Sequence, residues 1–150
     1  MDLLLKQLIN IFDDVETFPL AKTAQVDFTS AMLKNNNLSP IPNDYTLFLT
    51  NESNGLICDG VLEFFGTEKI RRNKDSYNFP NIVEANEIFN KTQNPLMENS
   101  VLLGYNLLYA IIWSESEKVY KIIKRNFFTP IKKFNNFGDV LKFITNQYMG

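Results

Sequence analysis

The stretch from Ser100 to Arg125, SVLLGYNLLYAIIWSESEKVYKIIKR, contains the longest uninterrupted apolar run of this 150-residue chain, Leu107 to Trp113. Seven residues fall far short of the about 20 needed to span a bilayer, so no membrane segment is expected. The stretch divides into three apolar runs, SVLLG, LLYAIIW and KVYKIIKR, separated by Tyr105-Asn106 and by Ser114-Glu115-Ser116-Glu117. Short polar connections between such runs predict a three-strand antiparallel meander. The middle run is apolar at every position, as in a central strand covered on both faces. In the third run Tyr120 and Ile122 share one face and Lys121 and Arg125 the other, which predicts one wet side.

Upstream, LICDGVLEFFG places turn chemistry at Asp59-Gly60 and a strand over Val61 to Phe65, ended by Gly66. Residues 67–79 are polar and carry four basic side chains, as a long exposed loop would. A short helix follows from Ile82, Val83, Ala85 or Asn86, and Phe89, before the break at Asn94-Pro95. In IPNDYTLFLTNESNG, Ile41 to Gly55, the spacing of Tyr45, Phe48 and Leu49 is helical, with Pro42 at its start, Asp44 near its positive end and Asn54-Gly55 as its stop. Val26, Phe28, Met32 and Leu33 indicate an earlier helix ending in Asn35-Asn36-Asn37. Leu4, Leu8, Ile11, Phe12 and Val15 form the stripe of an amphipathic helix over residues 2–16. At the other end Asn136 and Asp139 cap a helix with Phe137, Val140, Leu141 and Ile144 on one side. Helices followed by antiparallel strands, one inserted helix and a terminal helix predict an α+β fold. A single domain over 1–150 would have an antiparallel or mixed sheet and its helices packed mainly on one face.

Composition narrows the function. With 45% hydrophobic residues, 13 Phe and 6 Tyr, the chain is too apolar for disorder. Leu3-Leu4-Leu5 is preceded by Asp2 and broken by Lys6, unlike a secretory signal, so a cytoplasmic protein is expected. The single Cys58 fits a reducing compartment and reads as a small buried side chain. The absence of His excludes Ser-His-Asp triads, Cys-His pairs and His-based metal sites. The six glycines lack phosphate-loop spacing, and no cofactor is implied. Asp59 and Glu63 could form a carboxylate pair of the glycosidase kind, but such acids are more often solvated turn and strand residues. Residues 1–66 carry nine acidic and three basic side chains, and residues 67–150 eight and twelve. The basic residues are interleaved with apolar ones rather than concentrated, which argues against nucleic-acid binding. The acids Asp44, Glu52, Asp59 and Glu63 form a candidate partner-binding set, since complementary charge speeds association and selects partners.

The ordered series Pro42, Asp44-Tyr45, Phe48-Leu49, Asn54-Gly55, Phe65-Gly66, Asn81 to Asn86, Leu103-Gly104, Tyr120-Lys121-Ile122, Arg125, Phe134, Phe137 and Leu141 resembles the SUKH superfamily over residues 25–148, in its YrhA-like bacterial branch. One departure is plain: PLMENSVLLG lacks the Trp that many members place before the Leu-Gly strand, and Trp113 is the only one. The resemblance implies a non-enzymatic protein-binding module. Bacterial members of that superfamily are typically immunity proteins that cover a cognate toxin, often a nuclease, and fungal relatives regulate cell-wall assembly. It carries over no catalytic, metal or cofactor residue. Pro42, Tyr45, Phe48, Asn54, Gly55, Gly66 and Gly104 are expected to set the fold. The expected partner is a protein, with the chain itself a monomer or weak homodimer; the alternative is a regulatory adaptor without a toxin.

Overall fold

Five aromatic rings from four separate elements meet at the centre of the protein. Tyr45 and Phe48 come from a helix over Asn43–Asn51 (α2), Phe64 from a strand over Leu62–Phe64 (β3), Tyr120 from a strand over Val119–Lys124 (β8) and Phe137 from a helix over Phe137–Met149 (α4). All five are fully buried. Phe137 stands edge-on to Tyr45 at 5.0 Å and to Phe64 at 5.4 Å, and packs against Phe48 at 5.4 Å and Tyr120 at 5.9 Å. Edge-to-face pairs add about 0.5–1.5 kcal/mol each to the burial of such rings. The computed structural model describes residues 6, 9–10, 12, 14–58, 62–72, 77–92, 99–125 and 129–149.

The remaining elements are strands β1 (Val15–Thr17), β2 (Leu56–Cys58), β4 (Ile70–Arg71), β5 (Asn78–Phe79), β6 (Ser100–Asn106), β7 (Tyr109–Ser114) and β9 (Pro130–Phe134), with helices α1 (Thr23–Asn35) and α3 (Ile82–Thr92). Seven strands form one sheet in the order β1-β2-β3-β6-β7-β8-β9, every pair antiparallel, and β4 and β5 form a second, two-stranded sheet. This is the expected α+β fold. The aromatic centre puts α2 and α4 on one face of the large sheet. The other face carries the small sheet: Tyr77 bonds Glu63, and Phe79 stacks on Phe65 at 5.7 Å. Among the described residues, no helix is long and apolar enough to cross a membrane.

Helix starts and packing follow the sequence well. Asn136 Oδ1 accepts the Asp139 N–H at 2.9 Å, and the Asp44 carboxylate accepts the Phe137 N–H at 2.9 Å, so α4 is capped from its own chain and from α2. The Tyr45 hydroxyl donates to the Phe65 carbonyl at 2.5 Å and lies 3.2 Å from that of Leu103. At Gly104 an added Cβ would run into the Glu63 carbonyl and the Phe64 ring, so only glycine lets β6 approach β3 this closely; at Gly66 it would meet the Asn54 backbone. Asn54 is buried and exchanges two 2.8 Å hydrogen bonds with Thr67.

Several expectations are corrected. Pro42 precedes α2 as its N-cap, and the helix stops at Asn51, before Asn54-Gly55. The Ser53 hydroxyl takes over the exit by accepting the Phe18 N–H and donating to the Gly55 carbonyl, with Gly55 at φ +97° in the following turn. Val15 and Glu16 extend the sheet instead of a helix, because the free edge of β2 supplies hydrogen bonds that helical periodicity cannot anticipate. Leu4, Leu8 and Ile11 lie outside the described residues, whereas Lys6, Ile9 and Asn10 are helical. The expected exposed loop over 67–79 is corrected for its described residues: Ile70–Arg71 pairs with Asn78–Phe79, and buried Arg72 forms an ion pair with Glu16 of β1, while residues 73–76 lie outside the described residues. Helix α1 buries Val26, Thr29 and Leu33, and turns Phe28 and Met32 outward. Lys121 is only 5% exposed, so β8 has no wet face there; its ammonium pairs with Glu117.

Candidate functional site

Strand β3 is only three residues long, whereas β6 has seven, so part of β6 runs beyond its neighbour. The orphaned backbone is satisfied by a side chain. Asn86 of α3, fully buried, accepts the Leu102 N–H at 2.8 Å and donates to the Leu102 carbonyl at 3.0 Å. A buried unpaired backbone group costs about 1–3 kcal/mol, which is why a carboxamide, both donor and acceptor, suits this position. The substitution of a helix for a strand partner leaves a hollow between α3 and the sheet. This cavity of about 80 Å³ is lined by Phe65, Pro80, Ala85, Ile88, Phe89 and Leu102, with Tyr105 and Arg125 completing it.

Tyr105 and Arg125 join the cavity to a polar cluster. Glu63 and Tyr105 are cross-strand partners on the face opposite Phe64. The Tyr77 hydroxyl donates to Glu63 at 2.8 Å. Burial first, and then the charge and hydrogen bonding of Glu63, push the Tyr105 phenol up to about 12; the same causes raise Tyr77 further. The Arg125 guanidinium lies 4.3 Å from the centre of the Tyr105 ring, a cation–π distance, and Nη1 donates to the Asn106 carbonyl at 3.0 Å. Glu63 is thus occupied by phenols rather than by the arginine.

Beside this cluster stands the β6–β7 hairpin, whose turn is Leu107-Leu108 and not the expected Tyr105-Asn106. Asn106 Oδ1 accepts the N–H groups of Leu108 at 3.0 Å and Tyr109 at 2.7 Å, so the asparagine closes the turn from its first position instead of occupying its tip. Neither leucine has a positive φ. Leu107 is 70% exposed and Leu108 66%, and the Leu108 carbonyl accepts the Arg125 N–H at 3.0 Å. Ile88, on the cavity wall, is 55% exposed. Neither turn propensity nor packing accounts for two adjacent leucines at a hairpin tip.

The four acids anticipated as a partner-binding set do not form one patch. Asp44 caps α4 on the helix-covered side of the sheet, and its charge, after burial, raises the Tyr120 phenol. Glu63 belongs to the opposite face. Glu52 ends α2 half-buried, and Asp59 lies outside the described residues. Ile88, Leu107, Leu108 and Arg125 were not anticipated; the one local signal was Asn106, a strong opener of turns. Among the described residues no three His, Cys, Asp or Glu side chains are grouped to hold a metal ion. No protein-family model matches the chain, and the search of curated proteins finds no match.

Proposed function

We propose that this protein is a non-enzymatic protein-binding module, an immunity protein of the SUKH kind that covers and neutralises a cognate toxin domain. The observation that carries the reading is the exposed Leu107-Leu108 tip hydrogen-bonded to Arg125, whose guanidinium lies over Tyr105. Arg and Tyr are enriched where protein interfaces concentrate binding energy, and adjoining exposed apolar side chains supply area to bury. The order of SUKH-like motifs points the same way. The acids of the amino-terminal part contribute, on this reading, through the general field of the molecule rather than as a four-residue patch.

The test is binding to the product of the neighbouring upstream gene, with any toxic activity of that product as the second readout. A one-to-one complex that abolishes that activity is expected, and the double substitution Leu107→Asp, Leu108→Asp should weaken it by at least about a hundredfold, since each buried leucine contributes roughly 1.5–3 kcal/mol. Stability should change by no more than about 0.5 kcal/mol, as for exposed sites. Absence of both complex and inhibition would overturn the immunity reading in favour of a regulatory adaptor.

A further inference from the structure

We infer that the cavity between α3 and β6 is a recognition pocket for one apolar side chain of a partner protein carrying a carboxylate next to it, the side chain entering beside Ile88 and the carboxylate bonding Arg125. The inference deepens the protein-binding reading and rests on it. Its basis is a mismatch of charge and shape. Arg125 brings a permanent cation to the edge of a hollow walled by Phe65, Ala85, Phe89 and Leu102. Among the described residues no carboxylate forms an ion pair with it. The nearby acid, Glu63, takes its hydrogen bond from Tyr77. The guanidinium is held over Tyr105 and anchored to the Asn106 carbonyl, so its place is set before any ligand arrives. A preorganised guanidinium with free N–H donors matches a carboxylate, which it can engage through two parallel hydrogen bonds. The hollow of about 80 Å³ has room for roughly five to eight water-sized groups at about 10–15 Å³ each, enough for a leucine-sized side chain. Ile88, exposed on the wall, would be covered by the same ligand.

The smallest probe with both features is N-acetyl-L-leucine, and its control is N-acetyl-L-leucinamide. Titrated into the full isotope-labelled chain and followed by NMR, the acid should shift the Ala85, Ile88 and Leu102 methyl signals and the Arg125 Nε–H in a saturable way. The amide should bind at least about tenfold more weakly, the loss expected for one charge-assisted hydrogen bond. Arg125→Gln should remove the preference for the acid and Arg125→Lys should retain part of it, with the remaining methyl spectrum reporting that each variant is folded. Equal binding of acid and amide, shifts elsewhere only, or a preference that survives Arg125→Gln would overturn the inference. A toxin complex that depends on Leu107 and Leu108 without any response to the probe would remove the carboxylate pocket and leave the protein-binding reading intact; a response to the probe with no protein complex would overturn the protein partner, and the inference with it.

Discussion

Asn86 shows how much one side chain can decide. Its carboxamide replaces the strand that β3 is too short to provide, meeting both backbone groups of Leu102 from a helix. Asn86→Ala would leave a buried N–H and a buried carbonyl unpaired, and we expect a loss of about 2–5 kcal/mol, read as a lower urea midpoint at unchanged slope. Asn86→Asp keeps the acceptor for the Leu102 N–H but sets a carboxylate oxygen against the Leu102 carbonyl, so it should be no milder than alanine. Recovery of wild-type stability in either variant would show that water, not the side chain, satisfies β6. In the sequence Asn86 reads merely as a polar residue within a helical pattern. Nothing local marks it as a partner for a strand 16 residues away.

At the scale of elements, the two edges of the large sheet differ. β1 is three residues long and offers little to pair with. β9 is five residues long and largely exposed, and it carries Pro130, Lys132 and Lys133. Proline removes a backbone donor and lysines resist the approach of a second edge, the usual defence of an outer strand. Replacing Lys132 and Lys133 with Val should therefore produce concentration-dependent association, visible by light scattering, while the parent remains at its original mass. An unchanged mass in the double variant would mean that geometry alone protects the edge. This guarded edge also makes strand addition a poor way to bind a partner, which leaves the β6–β7 tip and the cavity beneath α3 as the better contact region. Hydropathy places the hairpin tip two residues too early, because LLYAIIW is seamless in it. Only the Asn106 side chain, by capturing two N–H groups beyond it, sets Leu107 and Leu108 outside the strand.

For the whole molecule, alkaline pH is the informative perturbation. Tyr45, Tyr77, Tyr105 and Tyr120 all have phenols raised above the ordinary value of 10, in each case chiefly through burial. A raised folded-state pKa means that above about pH 10 the folded protein holds protons the unfolded chain has released, so stability is intact below that pH and falls as pH rises. Unfolding should therefore coincide with ionisation of these tyrosines, measured as circular dichroism lost in step with tyrosinate absorbance. Glu63→Gln should bring Tyr105, pushed up to about 12, back toward 10, because it removes the neighbouring negative charge; an unchanged Tyr105 titration would leave burial as the sole cause.

Helices α1 to α4, the antiparallel meander and the α+β class are legible in the sequence, because stripes spaced three and four apart and compact polar breaks are local signals. Of the residues that the family resemblance singles out, Tyr45 and Phe48 lie in the aromatic centre, and Gly66 and Gly104 lie where backbone segments approach closely. Tertiary structure alone decided that Val15–Thr17 joins the sheet, that residues 67–79 hold a small sheet pinned by Arg72 to Glu16, that Pro130–Phe134 forms the guarded edge, and that Arg125 rests on Tyr105 at the mouth of a cavity. These features rest on hydrogen-bonding edges and side-chain contacts between residues far apart in the chain. Whether an edge is free, or a guanidinium has a carboxylate within reach, is set by where distant segments come together, and hydropathy along a window carries no record of it.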